Sequence, residues 1–134
     1  MCIRDRLIVE HGGFVGVTTY PSFLTQGAAS SVDDCVAAID YVVNLVGEDR
    51  VGIGTDFTQD QDAEFFEWLS QDKGQGRRLI VRDWDVAPQP VGFQRLSEFP
   101  NLTAAMVRRG WTESRIRKVL GENWVAFLRE VWGE

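Results

Sequence analysis

The stretch "SSVDDCVAAIDYVVNLVGEDRVGIGTDF", Ser30 to Phe57, writes a helix and a strand back to back. Val32, Cys35, Val36, Ile39, Val43 and Val46 recur at helical spacing, which gives the segment one apolar face meant for a flat partner. The Ser31 hydroxyl is placed to cap the free N–H groups, and Asp33 and Asp34 oppose the positive end of the helix dipole. Gly47 is placed to close the helix in the left-handed conformation. Val51 to Thr55 then reads as a short buried strand that runs straight into a carboxylate, Asp56, where the apolar residues stop.

The residues upstream supply the partner. "GGFVGVTTYP", Gly12 to Pro21, is a β-branched apolar run entered through two glycines and ended by a proline, as in a strand buried on both faces. Strand, helix and strand in this order predict a parallel pair joined by a right-handed crossover. Two parallel strands do not make a sheet that can be covered on both faces. Phe14, Val15, Val17, Val51, Ile53 and Phe57 would each gain about 1.5–3 kcal/mol from full burial. The remaining strands must come from another copy of the chain or from a larger parallel sheet.

Beyond Asp56 the pattern turns helical. "DAEFFEWLSQDKG", Asp62 to Gly74, has acids early and glycine last, and a Pro- and Gly-bearing loop with Arg77, Arg78 and Arg82 comes after it. Three short helices are then expected. "NLTAAMVRRG" ends at Gly110, "TESRIRKVLG" has Thr112 as cap and Gly121 as stop, and "NWVAFLREVW" puts Trp124, Phe127, Leu128 and Val131 on one stripe.

At 134 residues, 44% hydrophobic and 25% charged, the chain has the composition of one soluble globular domain. A formal charge of −6 leaves no electrostatic footprint for nucleic acid or an anionic membrane. Cys2 and Cys35 stand apart, without the spacing of a zinc knuckle or a disulfide framework, and Cys35 reads as a small core residue. No apolar run approaches the roughly 20 residues of a membrane span. A soluble chain is expected, with the cytoplasm favoured.

Asp56 is the first candidate for chemistry. In a barrel of alternating strands and helices, working groups sit at the C-terminal ends of the strands, where an Asp binds a metal or takes a proton. The structural alternative is an Asp that caps the next turn, and position alone does not separate the two. His11, the only histidine, precedes its strand, about 20 Å from that rim at roughly 3.3 Å per residue, and reads as a helix-end or loop residue. "TDFTQDQDAE" lacks the Gly and distal Glu of a calcium loop. The arginines could clamp a carboxylate, but such a run is usually a solvated surface cluster. The five tryptophans mostly fall on apolar stripes and read as core or interface, and no G-x-S-x-G elbow supports a serine nucleophile.

"GGFVGVTTYPSFL", the Ser30 to Phe57 unit and "EFPNLTAAMVRRGWTESRIRKVLGENW" together resemble, in order and spacing, the C-terminal third of the membrane (renal) dipeptidase family of zinc metallopeptidases. The resemblance runs from Leu7 onward and rests on a strand ending in G-[IF]-G-x-D-F followed by P-[ND]-L, R-R-x-[WY]-[ST]-E and G-x-N. It implies an α/β fold, the C-terminal portion of a (β/α)8 TIM-type barrel, with the last two parallel strands plus helices. Gly13 to Thr19 would be the seventh strand and Val51 to Thr55 the eighth. The implied reaction is hydrolysis of dipeptides at a binuclear zinc centre, with Asp56 both coordinating zinc and taking the nucleophile's proton. Tyr20, at the end of strand seven, then lines the substrate pocket. The family's His-x-Asp, bridging glutamate and two later histidines would all lie upstream of this chain, and His11 matches none of them.

The resemblance also implies a small peptide substrate, a homodimer of the intact protein, and inactivity of residues 7–134 on their own. Two departures stand out. Thr58 and Gln59 replace the Asp-Gly that often follows Asp-Phe in the family, so the rim over the pocket differs. "MCIRDR", residues 1–6, reads as a non-native leader rather than the helix expected there. An amidohydrolase-type barrel acting on another amide or a lactone, and a non-catalytic remnant or interaction module, remain the alternatives.

Overall fold

The computed structural model describes residues 2–57, 64–65 and 89–133. The helix expected over Asp62 to Gly74, the Thr58–Gln59 rim, Trp68, Trp84 and the three arginines lie outside them. Helix α1 spans Cys2–Glu10, strand β1 Val15–Thr18, helix α2 Val32–Val46 and strand β2 Val51–Gly54. Helices α3 (Phe99–Arg108), α4 (Glu113–Arg117) and α5 (Asn123–Trp132) come next. The strands pair in parallel, Val15 opposite Val51 and Thr18 opposite Gly54, with α2 as the crossover. The result is a mixed α/β arrangement of a two-stranded parallel sheet and helices.

Helix α2 packs as its spacing dictates. Val32, Cys35, Val36, Ile39 and Val43 are buried in one cluster with Val17 and Val51 of the sheet and with Leu102, Ala105 and Met106 of α3. Cys35 is fully buried, and burial pushes its thiol up to about 12, which suits a packing group and not a nucleophile. A capping box closes the N-terminus as expected, the Ser31 side chain meeting the Asp34 backbone N–H while the Asp34 carboxylate accepts from the Ser31 N–H and from the Ser31 hydroxyl, each at 2.8 Å. Gly47 has φ 88° and ψ 164°, so it leaves the helix with positive φ but extended rather than in the left-handed helical well. Asp40 ties α2 to the later helices by accepting from Arg109 and from the Trp111 indole N–H.

The opposite face of the sheet is built on glycine. Gly16, Gly52 and Gly54 alternate along it, and Phe14 and Trp124 close over Gly52 with ring centroids 4.2 Å apart. A Cβ on Gly52 would fall 2.6 Å from Phe14 Cζ and 2.8 Å from Trp124 Nε1, so glycine is required by close approach. Of the apolar side chains expected to seek burial, Val17 and Val51 are buried, whereas Phe14, Val15, Ile53 and Phe57 are half-buried.

Several boundaries depart from the sequence reading, each strand ending one residue early, at Thr18 and Gly54. Thr112 caps α4 as expected, accepting from Arg115 N–H at 3.3 Å, but Gly121 does not stop the helix. A π-helical turn, Lys118–Glu122, carries the chain directly into α5. The wider turn brings Asn123 under β2, where its buried amide donates to the Glu48 and Val51 carbonyls at 2.6 and 2.8 Å. Lys118 and Arg115 hydrogen-bond the Glu48 side chain and hold its carboxyl below the usual range. On α5, Trp124, Phe127 and Leu128 are half-buried, but Val131 is exposed, because nothing in the described residues covers the end of the stripe. The tryptophans divide as well: Trp111 is buried and Trp132 is exposed.

At the other end, the hexapeptide expected to lack a helix is helical from Cys2, with no Gly or Pro before Gly12 to break it. The next strand begins only at Val15, because Gly12 turns at φ 78° and Gly13 is pressed against Ile8. Among the described residues no helix is long and apolar enough to cross a membrane.

The glycine face gives a direct test. Gly52→Ala should destabilise the protein by about 1–3 kcal/mol through overpacking. Gly121→Ala, which meets open space, should change stability by less than about 0.5 kcal/mol. Urea unfolding measures both, and equal costs would contradict the packing described.

Candidate active site

The two strands end level with each other. Thr18 lies opposite Gly54, so Thr19 and Thr55, then Tyr20 and Asp56, leave the sheet at matching positions on its C-terminal rim. Each strand closes on a threonine turn: Tyr20 N–H donates to Thr18 Oγ1 and Phe57 N–H to Thr55 Oγ1, both at 3.3 Å. Thr19 is fully buried, and its hydroxyl donates across to the Thr55 carbonyl at 3.3 Å.

Asp56 is exposed and has φ 56°, the one positive φ among the described non-glycine residues. A left-handed conformation costs most side chains roughly 1–2 kcal/mol, and Asp is among the few that tolerate it. Gly52 and Gly54, on the strand just before Asp56, carry no side chains. The Asp56 carboxylate caps no turn among the described residues, and Thr58 and Gln59, whose N–H groups such a cap would meet, lie outside them.

Aromatic packing anchors the chain just past Asp56. The Phe57 ring lies 5.0 Å from that of Phe93, a fully buried residue that in turn meets Phe99 at 5.1 Å. The loops leaving the strands are stitched together by backbone bonds, Val91 N–H to the Ser30 carbonyl and Val32 N–H to the Val91 carbonyl, both 2.9 Å. Sequence reading missed this stitch, the aromatic cluster and the threonine turns. Only the last had a signal, a Thr two residues before the end of each apolar run.

Tyr20 stands on the same rim, half-buried, with its ring 6.0 Å from that of Phe23. His11 does not. It is exposed at the end of α1, ahead of β1, where Nδ1 donates to the Leu7 carbonyl at 2.8 Å. Among the described residues no three His, Cys, Asp or Glu side chains gather. Among the described residues the donor set of the rim is one hard carboxylate oxygen pair, which fits a metal only as a single contributor to a site completed by other donors.

Comparison with known proteins adds the wider context. The membrane dipeptidase family matches this chain over residues 5–73 and 63–132. The dipeptidase tcpJ of Claviceps purpurea (strain 20.1) is 28% identical over 131 residues, which are 96% of this chain and 24% of that protein. An amidohydrolase from Pseudomonas aeruginosa superposes with a TM-score of 0.92 at 51% identity, covering 99% of this chain and 40% of that one. A metallo peptidase from Rhodobacter sphaeroides, liganded with a phosphinate mimic of the dipeptide L-Ala-D-Ala, gives 0.70 at 26% identity, covering 98% and 31%. The chain therefore spans well under half the length of these relatives.

The backbone at Asp56 sets a stability prediction. Asp56→Asn should unfold at the same urea concentration as the parent, since Asn also tolerates positive φ. Asp56→Val should lose about 1–2 kcal/mol. A valine variant as stable as the asparagine one would show that φ at this position is not left-handed.

Proposed function

This chain belongs to the membrane dipeptidase family, and from that premise we propose that it forms the C-terminal part of a zinc-dependent dipeptidase. The observation that carries the reading is Asp56: an exposed carboxylate, partnerless among the described residues, held at the C-terminal end of β2 and level with the end of β1. In this reading β1 and β2 are strands seven and eight of a (β/α)8 barrel. The other strands, with the remaining metal ligands, lie on residues outside the chain.

Zinc, when bound, supplies a Lewis acid and lowers the pKa of its water. Asp56 offers one oxygen ligand and, through its other oxygen, a base for a proton at neutral pH. Tyr20, half-buried at the neighbouring strand end, is the residue that would line the substrate pocket in this reading. The glycine face below leaves the space over Gly54 free of side chains from its own strand. A small peptide as substrate draws support from the dipeptide mimic bound to the Rhodobacter sphaeroides relative. A homodimer of the complete protein belongs to the same reading. The Pseudomonas aeruginosa relative is described as an amidohydrolase, which favours a different amide as the second reading.

The test compares variants of the full-length protein on a panel of dipeptides and other amides. Asp56→Asn should lower the rate by about 10² to 10⁴ through loss of a positioned acid–base group, while His11→Ala stays within a few fold of the parent. This chain alone, given excess zinc, should show no turnover above a zinc-only blank. Full activity of Asp56→Asn together with loss in His11→Ala would overturn the assignment, and turnover only of non-peptide amides would select the second reading.

A further inference from the structure

We infer that Thr19 and Thr55 are positioning residues for Asp56, and that their hydroxyls fix where its carboxylate stands. The inference rests on the reading of Asp56 as the working carboxylate of the rim. The two backbone dihedrals of a residue are set by the peptide planes on either side of it, since each plane is itself rigid. At Asp56 both planes are held. The plane before it is held through the Thr55 carbonyl, which accepts from Thr19 Oγ1 at 3.3 Å. The plane after it is held through the Phe57 N–H, which donates to Thr55 Oγ1 at 3.3 Å.

Burial gives these bonds weight. Thr19 is fully buried, so water does not compete for its hydroxyl, and the Phe57 ring beyond the second bond is packed on Phe93. Strand β1 supplies an internal control. Tyr20 N–H makes the same threonine turn to Thr18 Oγ1, yet Thr19, the residue enclosed by that turn as Asp56 is by its own, does not have a positive φ. The turn alone therefore does not produce a left-handed residue. What distinguishes Asp56 is the second hydroxyl, reaching across from the neighbouring strand. Backbone held in a sparsely populated region by surrounding structure is a way to preorganise a group before its ligand arrives.

The experiment uses the full-length protein, with zinc as the probe and Thr55→Val, Thr55→Ser, Thr19→Val and Thr19→Ser as variants. Each valine should lower kcat by about 10- to 100-fold, the usual effect of removing an outer partner of a metal ligand, with KM little changed. Zinc retained after dialysis against a chelator should fall with it, and each serine should restore both. A crystal structure of a valine variant should show φ at Asp56 returned to negative values. If Thr55→Val does not fold, Thr19→Val on the other strand carries the same test. Valine variants with parental kcat and zinc content, beside an inactive Asp56→Asn, would overturn the positioning role and leave the reading of Asp56 intact. Equal losses in valine and serine would overturn it too, since shape and not the hydroxyl would then matter. An active Asp56→Asn would instead overturn the underlying reading.

Discussion

Everything at the rim depends on the parallel register that sets Thr18 opposite Gly54. A slip of one residue would exchange the faces of a strand, moving Val51 under Trp124 and Gly52 under α2, where neither fits. The register is pinned at both ends by side chains rather than by the four-residue strands alone. Asn123 holds the Glu48 and Val51 carbonyls at the start of β2, and Thr19 holds the Thr55 carbonyl at its finish. With both ends fixed, Tyr20 and Asp56 leave the sheet side by side.

What the sequence made legible was local. Helix α2 could be read almost to the residue because its period and its caps all lie within one short segment. The parallel pairing could be inferred from the strand–helix–strand order, and Asp56 could be singled out from its place at a strand end. What escaped reading depended on distant partners. Gly121 looked like a stop because a glycine after an apolar run usually is one. The π turn that overrides it serves Asn123, whose partners lie 75 and 72 residues away. The Phe57, Phe93 and Phe99 cluster joins segments with no shared pattern. The left-handed backbone at Asp56 was equally hidden, since it arises from two hydroxyls on two strands.

The exposure left on a two-stranded sheet was legible from energetics. The apolar side chains of the two strands and their flanks are not fully covered by the described helices. Phe14, Val15, Ile53 and Phe57 are indeed left half-buried. The Pseudomonas aeruginosa amidohydrolase is longer, this chain covering 40% of it. In the proposed reading, Asp56, the carboxylate that the described residues place on this rim, would supply one corner of a metal site whose other ligands come from elsewhere.

The most direct measurement is anomalous X-ray diffraction at the zinc edge from crystals of the full-length protein. With Asp56 as a ligand, a zinc peak is expected within coordinating distance of its carboxylate, about 2.0–2.2 Å from an oxygen, with Tyr20 on the same side of the sheet. A zinc peak held only by residues remote from this rim, with Asp56 turned to solvent, would contradict it.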